Sequence, residues 1–519
     1  MKKVVVLFAV FLFILNSFGE EFDLGSIEVT DVSGSINSSM LENKSKTQIG
    51  EKEGIDIDYK GANLDSKQKI SQVLAPDVIE RSAFASVVIG DDSKNDFFVN
   101  YSEKNINYLW SGKIEFLSDD VEKINGKKKS KMFEFEYDDI WDNISFSTES
   151  SFYDKEEKLA GSDAVLNNSY YVEEKGFDLK ANVFFAPFRE WNFFGRIANI
   201  KKDIDSTFLG GYNDLFKNSI FEGKAYTQID LSESSFVDIM LGLKTDSLDY
   251  IGGKIDNDRF DMEFNLNIIR KDYSVLTNLG VYNSDDDDEA SLSVTYSKYQ
   301  KNDKITKYEF GKKYTPLSYE DVFFAENQKY IVRLPVTRKL IGETSDFISI
   351  AHDFDYKDLD FNIKIGNESV DNKLYYSKIT PNDRALLPAY TGSVDNFFIN
   401  FSTETKLRGD RTLKLFYNHN NWDGNIPFVN ENDWKVLYRH NYNNDTVFLA
   451  EAVFTGKYKD GLGVENDGYV LVNLSMDNKI DEKMNFRIDI LNLMDKDYFM
   501  IPGYSEEERR INLAFSFNL

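Results

Sequence analysis

The chain ends in "ERRINLAFSFNL", Glu508 to Leu519. Read back from the last residue, Leu519, Phe517, Phe515, Leu513 and Ile511 are apolar, while Asn518, Ser516, Ala514, Asn512 and Arg510 fall between them. A period of two places the two sets on opposite faces of a β-strand. A strand that runs to the last residue needs a neighbour for its backbone groups. The first strand of a closed ring supplies one.

The same alternation recurs upstream. Phe260, Met262, Phe264, Leu266 and Ile268 interleave with Asp261, Glu263, Asn265 and Asn267. Val237, Ile239, Leu241 and Leu243 interleave with Asp238, Met240 and Gly242. Val470 to Met476 and Phe486 to Ile490 repeat the pattern. Between such runs lie "DNKIDEK", "SDDDDE", "QKNDK", "YKDLD", "RGDR" and "YNND", which carry the Asn, Asp and Gly chemistry of hairpin turns. About 22 runs share residues 84–519, near 20 positions each, which suits a tilted membrane strand of roughly 10 residues plus its connection. The predicted fold is therefore all-β, a transmembrane antiparallel barrel of the outer-membrane type. A soluble β-sandwich would alternate too, but a chain of this length would need linkers between domains, and no Pro/Gly/Ser-rich linker is present.

The first residues agree. Lys2 and Lys3 precede a continuous apolar run, Val4 to Leu15, and Ser17 and Gly19 offer small residues for cleavage. This run of 12 is too short for a permanent membrane helix and reads as a secretory signal peptide over residues 1–19. No later apolar run approaches 18 residues, so helices do not carry the chain across a bilayer. With no cysteine, disulfides and thiolate metal sites are excluded. Aromatic residues make up 15% of the chain, in keeping with strands and with girdles at both membrane interfaces, where Tyr108, Trp110, Trp191 and Phe193 fit. The formal charge of −27 excludes nucleic acid as a natural partner and marks acidic, solvated connections.

The last fifty residues, "GYVLVNLSMDNKIDEKMNFRIDILNLMDKDYFMIPGYSEEERRINLAFSFNL", resemble the C-terminal strands of TonB-dependent receptors. Asn492, Leu493, Asp495, Lys496 and Tyr498 fit that family's Asn-Leu-aromatic-Asp-Lys-x-Tyr segment, Gly503 and Tyr504 its loop, and Arg509 its Gly-Arg pair. Met494 stands where the family has Phe, Glu508 where it has Gly, and Leu519 where it has a closing aromatic residue. Ile511, Leu513, Phe515, Phe517 and Leu519 resemble the C-terminal signal by which the barrel assembly machinery accepts such chains. Near the mature N-terminus, "DLGSIEVTD" is similar to a TonB box, with Ile27, Glu28, Val29 and Thr30 as the extended residues that would pair with TonB as an added strand.

One departure is large. Family members fold a plug of well over a hundred residues inside the barrel, whereas residues 20–83 here are 64 positions rich in Ser, Asn, Lys, Asp and Glu. That segment reads as a linker with an absent or vestigial plug. The resemblance implies a barrel in the bacterial outer membrane, surrounded by lipid and lipopolysaccharide, that takes up or binds a scarce small ligand such as a metal chelate or vitamin. An ungated porin-like channel and a barrel-anchored adhesin or scaffold are the alternatives. No cofactor or metal motif is visible: "SDDDDE", Ser284 to Glu289, lacks the spacing and the glycine of a calcium loop. The basic run "NGKKKSK", Asn125 to Lys131, reads as an ordinary loop. His352, His419 and His440 are the only histidines and have no companion motif, so no catalytic residue is assigned.

Overall fold

The computed structural model describes residues 80–518, less the stretches 91–94, 105–107, 122–125, 142–143, 160–169, 186–190, 207–212, 251–252, 285–287, 301–303, 324–339, 357–358, 379–385, 460–462, 497–498, 502–503 and 506–508 and positions 233, 425 and 428. The signal peptide, the Ile27–Thr30 segment, Tyr498 and Leu519 lie outside the described residues.

A single sheet of 22 antiparallel strands forms the body of the molecule. Each strand pairs with its neighbours in sequence. The ring closes where Glu80–Gly90 pairs with both Asn95–Lys104 and the terminal strand Arg510–Asn518. Closure leaves no sheet edge, so the ring's strands all have partners on both sides. The wall is uneven in height. Gly126–Trp141 to Gly253–Ile269 are strands of 16 to 20 residues, whereas Met484–Leu491 has 8 and Arg510–Asn518 has 9.

The register puts the alternation seen in the sequence onto two faces. Ile490 pairs with Ile511, Ile488 with Leu513, and Phe486 with Phe515. Leu513 and Phe515 in turn face Ile89 and Val87. These rows continue around the outside, where Phe221, Leu243 and Ile348 are 57%, 59% and 62% exposed. An apolar belt this continuous is costly in water and suited to hydrocarbon. Tyr108, Trp110, Trp191 and Phe193 share this outer face near one rim; Trp110 packs on Tyr101 and Trp191 stacks on Phe193.

The inner face is largely polar, and its charges are paired both along and across strands. Lys113 bridges Glu115 and Glu134, Arg259 pairs with Asp261, Lys364 with Glu309, Lys435 with Glu451, and Arg487 with Asp489. Such pairing offsets the cost of holding charge against a packed wall.

The two rims differ. At one, the connections that the structure describes are short turns, such as 270–272, 408–410 and 480–483. In the turn 408–410, Gly409 and Asp410 take positive φ of 76° and 52°, a conformation open to Gly and tolerated by Asp. The opposite rim carries the long connections 316–342, 372–393, 456–468 and 492–509, with a short helix, Tyr319–Phe323, and three small hairpins. These rims are called the turn rim and the loop rim below.

Candidate functional site: the mouth of the lumen

Near the loop rim, the inner face of the tall wall turns apolar. Val172, Ile200, Ile204, Phe216 and Leu248 point inward, and each is at least nine-tenths buried. What covers them is the connection 316–342. Its helix begins at a cap: the Ser318 hydroxyl accepts from the Asp321 amide at 3.2 Å, and the Asp321 carboxylate accepts from the Ser318 amide at 3.0 Å and its hydroxyl at 2.7 Å. The cap turns Tyr319, Val322 and Phe323 to one side, where they and Leu340 pack on the apolar patch. Phe323 stacks on Phe216 with ring centres 5.6 Å apart. Burying four such side chains contributes about 6–12 kcal/mol before the entropy of ordering the segment is subtracted.

Polar contacts fix the depth of this segment. Glu320 accepts two hydrogen bonds from Arg196, 2.9 and 2.6 Å, while Arg196 also donates to both oxygens of Asp178 at 3.0 Å. The guanidinium thus lies between two carboxylates, one on the wall and one on the inserted turn. Lys202 donates to the Phe323 carbonyl at 3.0 Å and approaches Glu174 at 3.8 Å. The Tyr319 amide donates to Asp246 at 2.6 Å. The neighbouring connection joins the assembly, since the Tyr376 hydroxyl donates to the Val322 carbonyl at 3.2 Å and Leu374 packs beside it.

A second, smaller apolar group lies inside the mouth on another part of the wall. Ile426, from the connection 423–431, packs on Val370 and Val394 with Trp422 and Val429 alongside, and the Lys373 ammonium sits 4.7 Å from the Trp422 ring. Among the described residues, two connections therefore turn inward and narrow the lumen. At the rim itself, Lys457 and Glu465 pair at 2.6 Å across a small hairpin; that hydrogen bond raises the ammonium pKa and lowers the carboxylate pKa.

The residues singled out in the sequence fall elsewhere. Asn492, Leu493, Asp495, Lys496 and Arg509 come together at the base of the connection 492–509. The Asn492 side chain donates to the Lys496 carbonyl at 2.9 Å and accepts from the Lys496 amide at 3.0 Å. Asp495 accepts from the Arg509 amide at 3.1 Å, and Leu493 donates to the Val472 carbonyl at 2.8 Å. Asn492 and Asp495 both have positive φ, 47° and 51°. Ile511, Leu513, Phe515 and Phe517 lie on the outer face of the terminal strand. His352, His419 and His440 also face outward: His352 is 2.9 Å from Thr306 and stacks on Phe354, His419 is 2.9 Å from Asn432, and His440 meets Tyr442 edge-on. Asp154, Glu156 and Glu173 form a carboxylate trio on the outer face of the tall wall, where Lys175 lies 2.5 Å from Glu173 and 3.6 Å from Asp154.

The mouth residues were not found by motif. One signal was available: "PLSYEDVFF", from Pro316, places a Ser-x-x-Asp cap before apolar residues at helical spacing, inside a chain that otherwise alternates by two.

No family model and no curated protein sequence matches this chain. Solved structures do. The siderophore receptor PirA from Acinetobacter baumannii superposes with a TM-score of 0.67 at 10% identity over 86% of this chain and 81% of that one. The FrpB iron transporter from Neisseria meningitidis (F3-3 variant) gives 0.67 at 9% identity over 88% and 83%, and the copper transporter OprC gives 0.69 at 8% identity over 86% and 81%. The fold is that of the TonB-dependent receptor barrel. Identities this low relate the fold alone and leave the ligand to be argued from this chain.

Proposed function

We propose that this receptor-type barrel resides in the bacterial outer membrane and takes up or binds a scarce small ligand, a metal chelate or a compound of similar size, through the mouth at the loop rim. The observation that carries this reading is the combination, among the described residues, of an apolar outer belt with a largely polar, charge-paired lumen narrowed by inserted connections near the loop rim. Siderophore, iron and copper carriers among the structures of similar fold support a metal-bearing ligand. In this reading the long connections face outside the cell, lipid and lipopolysaccharide cover the belt, and the barrel assembly machinery reads the terminal alternation at Ile511, Leu513, Phe515, Phe517 and Leu519. Ile27, Glu28, Val29 and Thr30 engage TonB as an added strand.

The test is uptake. The full chain is expressed in a host stripped of its own siderophore receptors, and radiolabelled metal is supplied in parallel as a ferric catecholate, as a ferric hydroxamate or as free copper. Saturable, energy-dependent accumulation with at least one supply, lost on deletion of residues 27–30, supports the reading. A porin-like channel is the second reading, favoured by how few residues, 20–79, separate the signal peptide from the first strand at Glu80. It predicts a stable open conductance in planar bilayers and unsaturable solute flux that ignores the deletion.

A further inference from the structure

Three lysines stand in line on the outside of the tall wall. Lys175 pairs with Lys201 on the next strand, and Lys201 with Lys217 on the one after, all three exposed. Like charges directly opposite each other on neighbouring strands repel and weaken a sheet. Two such pairs side by side are a cost that a bound anion would remove.

The strand sets their height. From Lys175 to Phe185, which pairs with Trp191 at the turn rim, the chain advances ten residues. At about 3.3 Å per residue and a tilt of roughly 40°, that is about 25 Å, the height of an apolar barrel belt. The lysines therefore lie at the end of the belt nearer the loop rim, where acyl chains give way to headgroups.

The row beneath them is cut away. Phe177 continues the belt under Lys175, but Asn199 and Ser219 lie under Lys201 and Lys217, and the Asn199 side-chain amide donates to the Ser219 hydroxyl at 2.9 Å. One row further down the apolar surface resumes with Ile197 and Phe221, 49% and 57% exposed. Ammonium groups, an amide and a hydroxyl above an apolar floor are the donors that a lipid-borne phosphate needs. Carboxylates lie beside the lysines or beyond them: Glu173 and Asp154 are 2.5 and 3.6 Å from Lys175, Asp203 is 3.1 Å from Lys201, and Asp249 is opposite Lys217. Exposed pairs of this kind are each worth about 0–1 kcal/mol, so the ammonium groups can turn to a phosphate at little cost.

We propose that Lys175, Lys201 and Lys217, with Asn199 and Ser219, bind a sugar phosphate of lipopolysaccharide, whose acyl chains lie over Ile197 and Phe221. Lipopolysaccharide is the phosphate-bearing lipid of the leaflet that the loop rim faces. The inference rests on the membrane reading above, with the long connections outside the cell, and not on which ligand the lumen carries.

The full chain is folded in lipid-free detergent. It is offered, in separate samples, lipid A with both phosphates, lipid A stripped of them, and phosphatidylglycerol, and bound lipid is weighed by native mass spectrometry. The wild type should hold one phosphorylated lipid A about tenfold more tightly than either of the others, a tenfold ratio of binding constants. Lys201→Gln combined with Lys217→Gln should erase that preference while the heat-modifiable mobility of the folded barrel is kept. Lys298→Gln, at an exposed lysine of the same face near the turn rim, should leave the preference unchanged. Equal binding of the two forms of lipid A overturns the proposal, as does a preference that survives the double substitution or is lost equally in Lys298→Gln. Phosphatidylglycerol held as tightly as phosphorylated lipid A overturns lipopolysaccharide as the occupant. A chain that forms no heat-modifiable barrel in detergent overturns the membrane reading as well, whereas a heat-modifiable barrel indifferent to phosphate overturns this site alone.

Discussion

Arg196 and Glu320 stand 124 residues apart in the chain and meet through two hydrogen bonds inside the mouth of the barrel. One belongs to the wall, the other to a connection that leaves the wall and returns to it. Asp178 completes the arrangement from the neighbouring strand, so the charge on Arg196 is matched from both sides.

The first prediction concerns this pair. Arg196→Ala strips the partner from two partly enclosed carboxylates, a change that typically costs about 3–5 kcal/mol. The inserted helix is expected to leave the wall while the ring stays closed. Single-channel recording would see this as a larger or noisier conductance than wild type. An unchanged trace would show that the segment does not narrow the path.

Phe323→Ala attacks the same docking by packing. Loss of a buried Phe costs about 3–5 kcal/mol, here charged to one connection and not to the barrel. Limited proteolysis should cut the 316–342 connection faster, and the barrel's resistance to boiling in detergent should persist. Cleavage at the wild-type rate would count against the docking.

On the outside, Leu513→Arg places a cation in the middle of the closing seam's apolar face. The expected cost in lipid is about 2–4 kcal/mol. Reversible unfolding by denaturant in phospholipid vesicles would measure it.

At the base of the connection 492–509, Asn492→Ala removes both side-chain hydrogen bonds to Lys496 and puts a β-carbon without polar help at φ 47°. The combined loss is about 1–3 kcal/mol. Hydrogen exchange should quicken at Lys496 and Arg509 with the terminal strand still protected.

How much of this could be read in the letters differs by feature. The strands could, because Val470 to Met476 or Phe260 to Ile268 carry their two-residue period locally, and closure follows once every strand must be paired. The strand number followed from counting the alternating runs, and the length each run occupies agreed with a tilted strand and its connection. The mouth could not. Arg196, Asp178 and Lys202 look like any inward charge of an alternating strand, and only the fold brings Glu320 and the Phe323 carbonyl to them.

The unequal wall has a mechanical side. Ile144–Leu159 and Tyr170–Phe185 are stitched by sixteen residue pairs, but the first and last strands by seven and their neighbours Tyr469–Lys479 and Met484–Leu491 by six. Load spread evenly around the hoop would strain the fewest stitches most. A staple engineered across Met476 and Ile488, which face each other at the six-pair seam, should therefore raise the force at which the hoop parts far more than one placed in the tall wall.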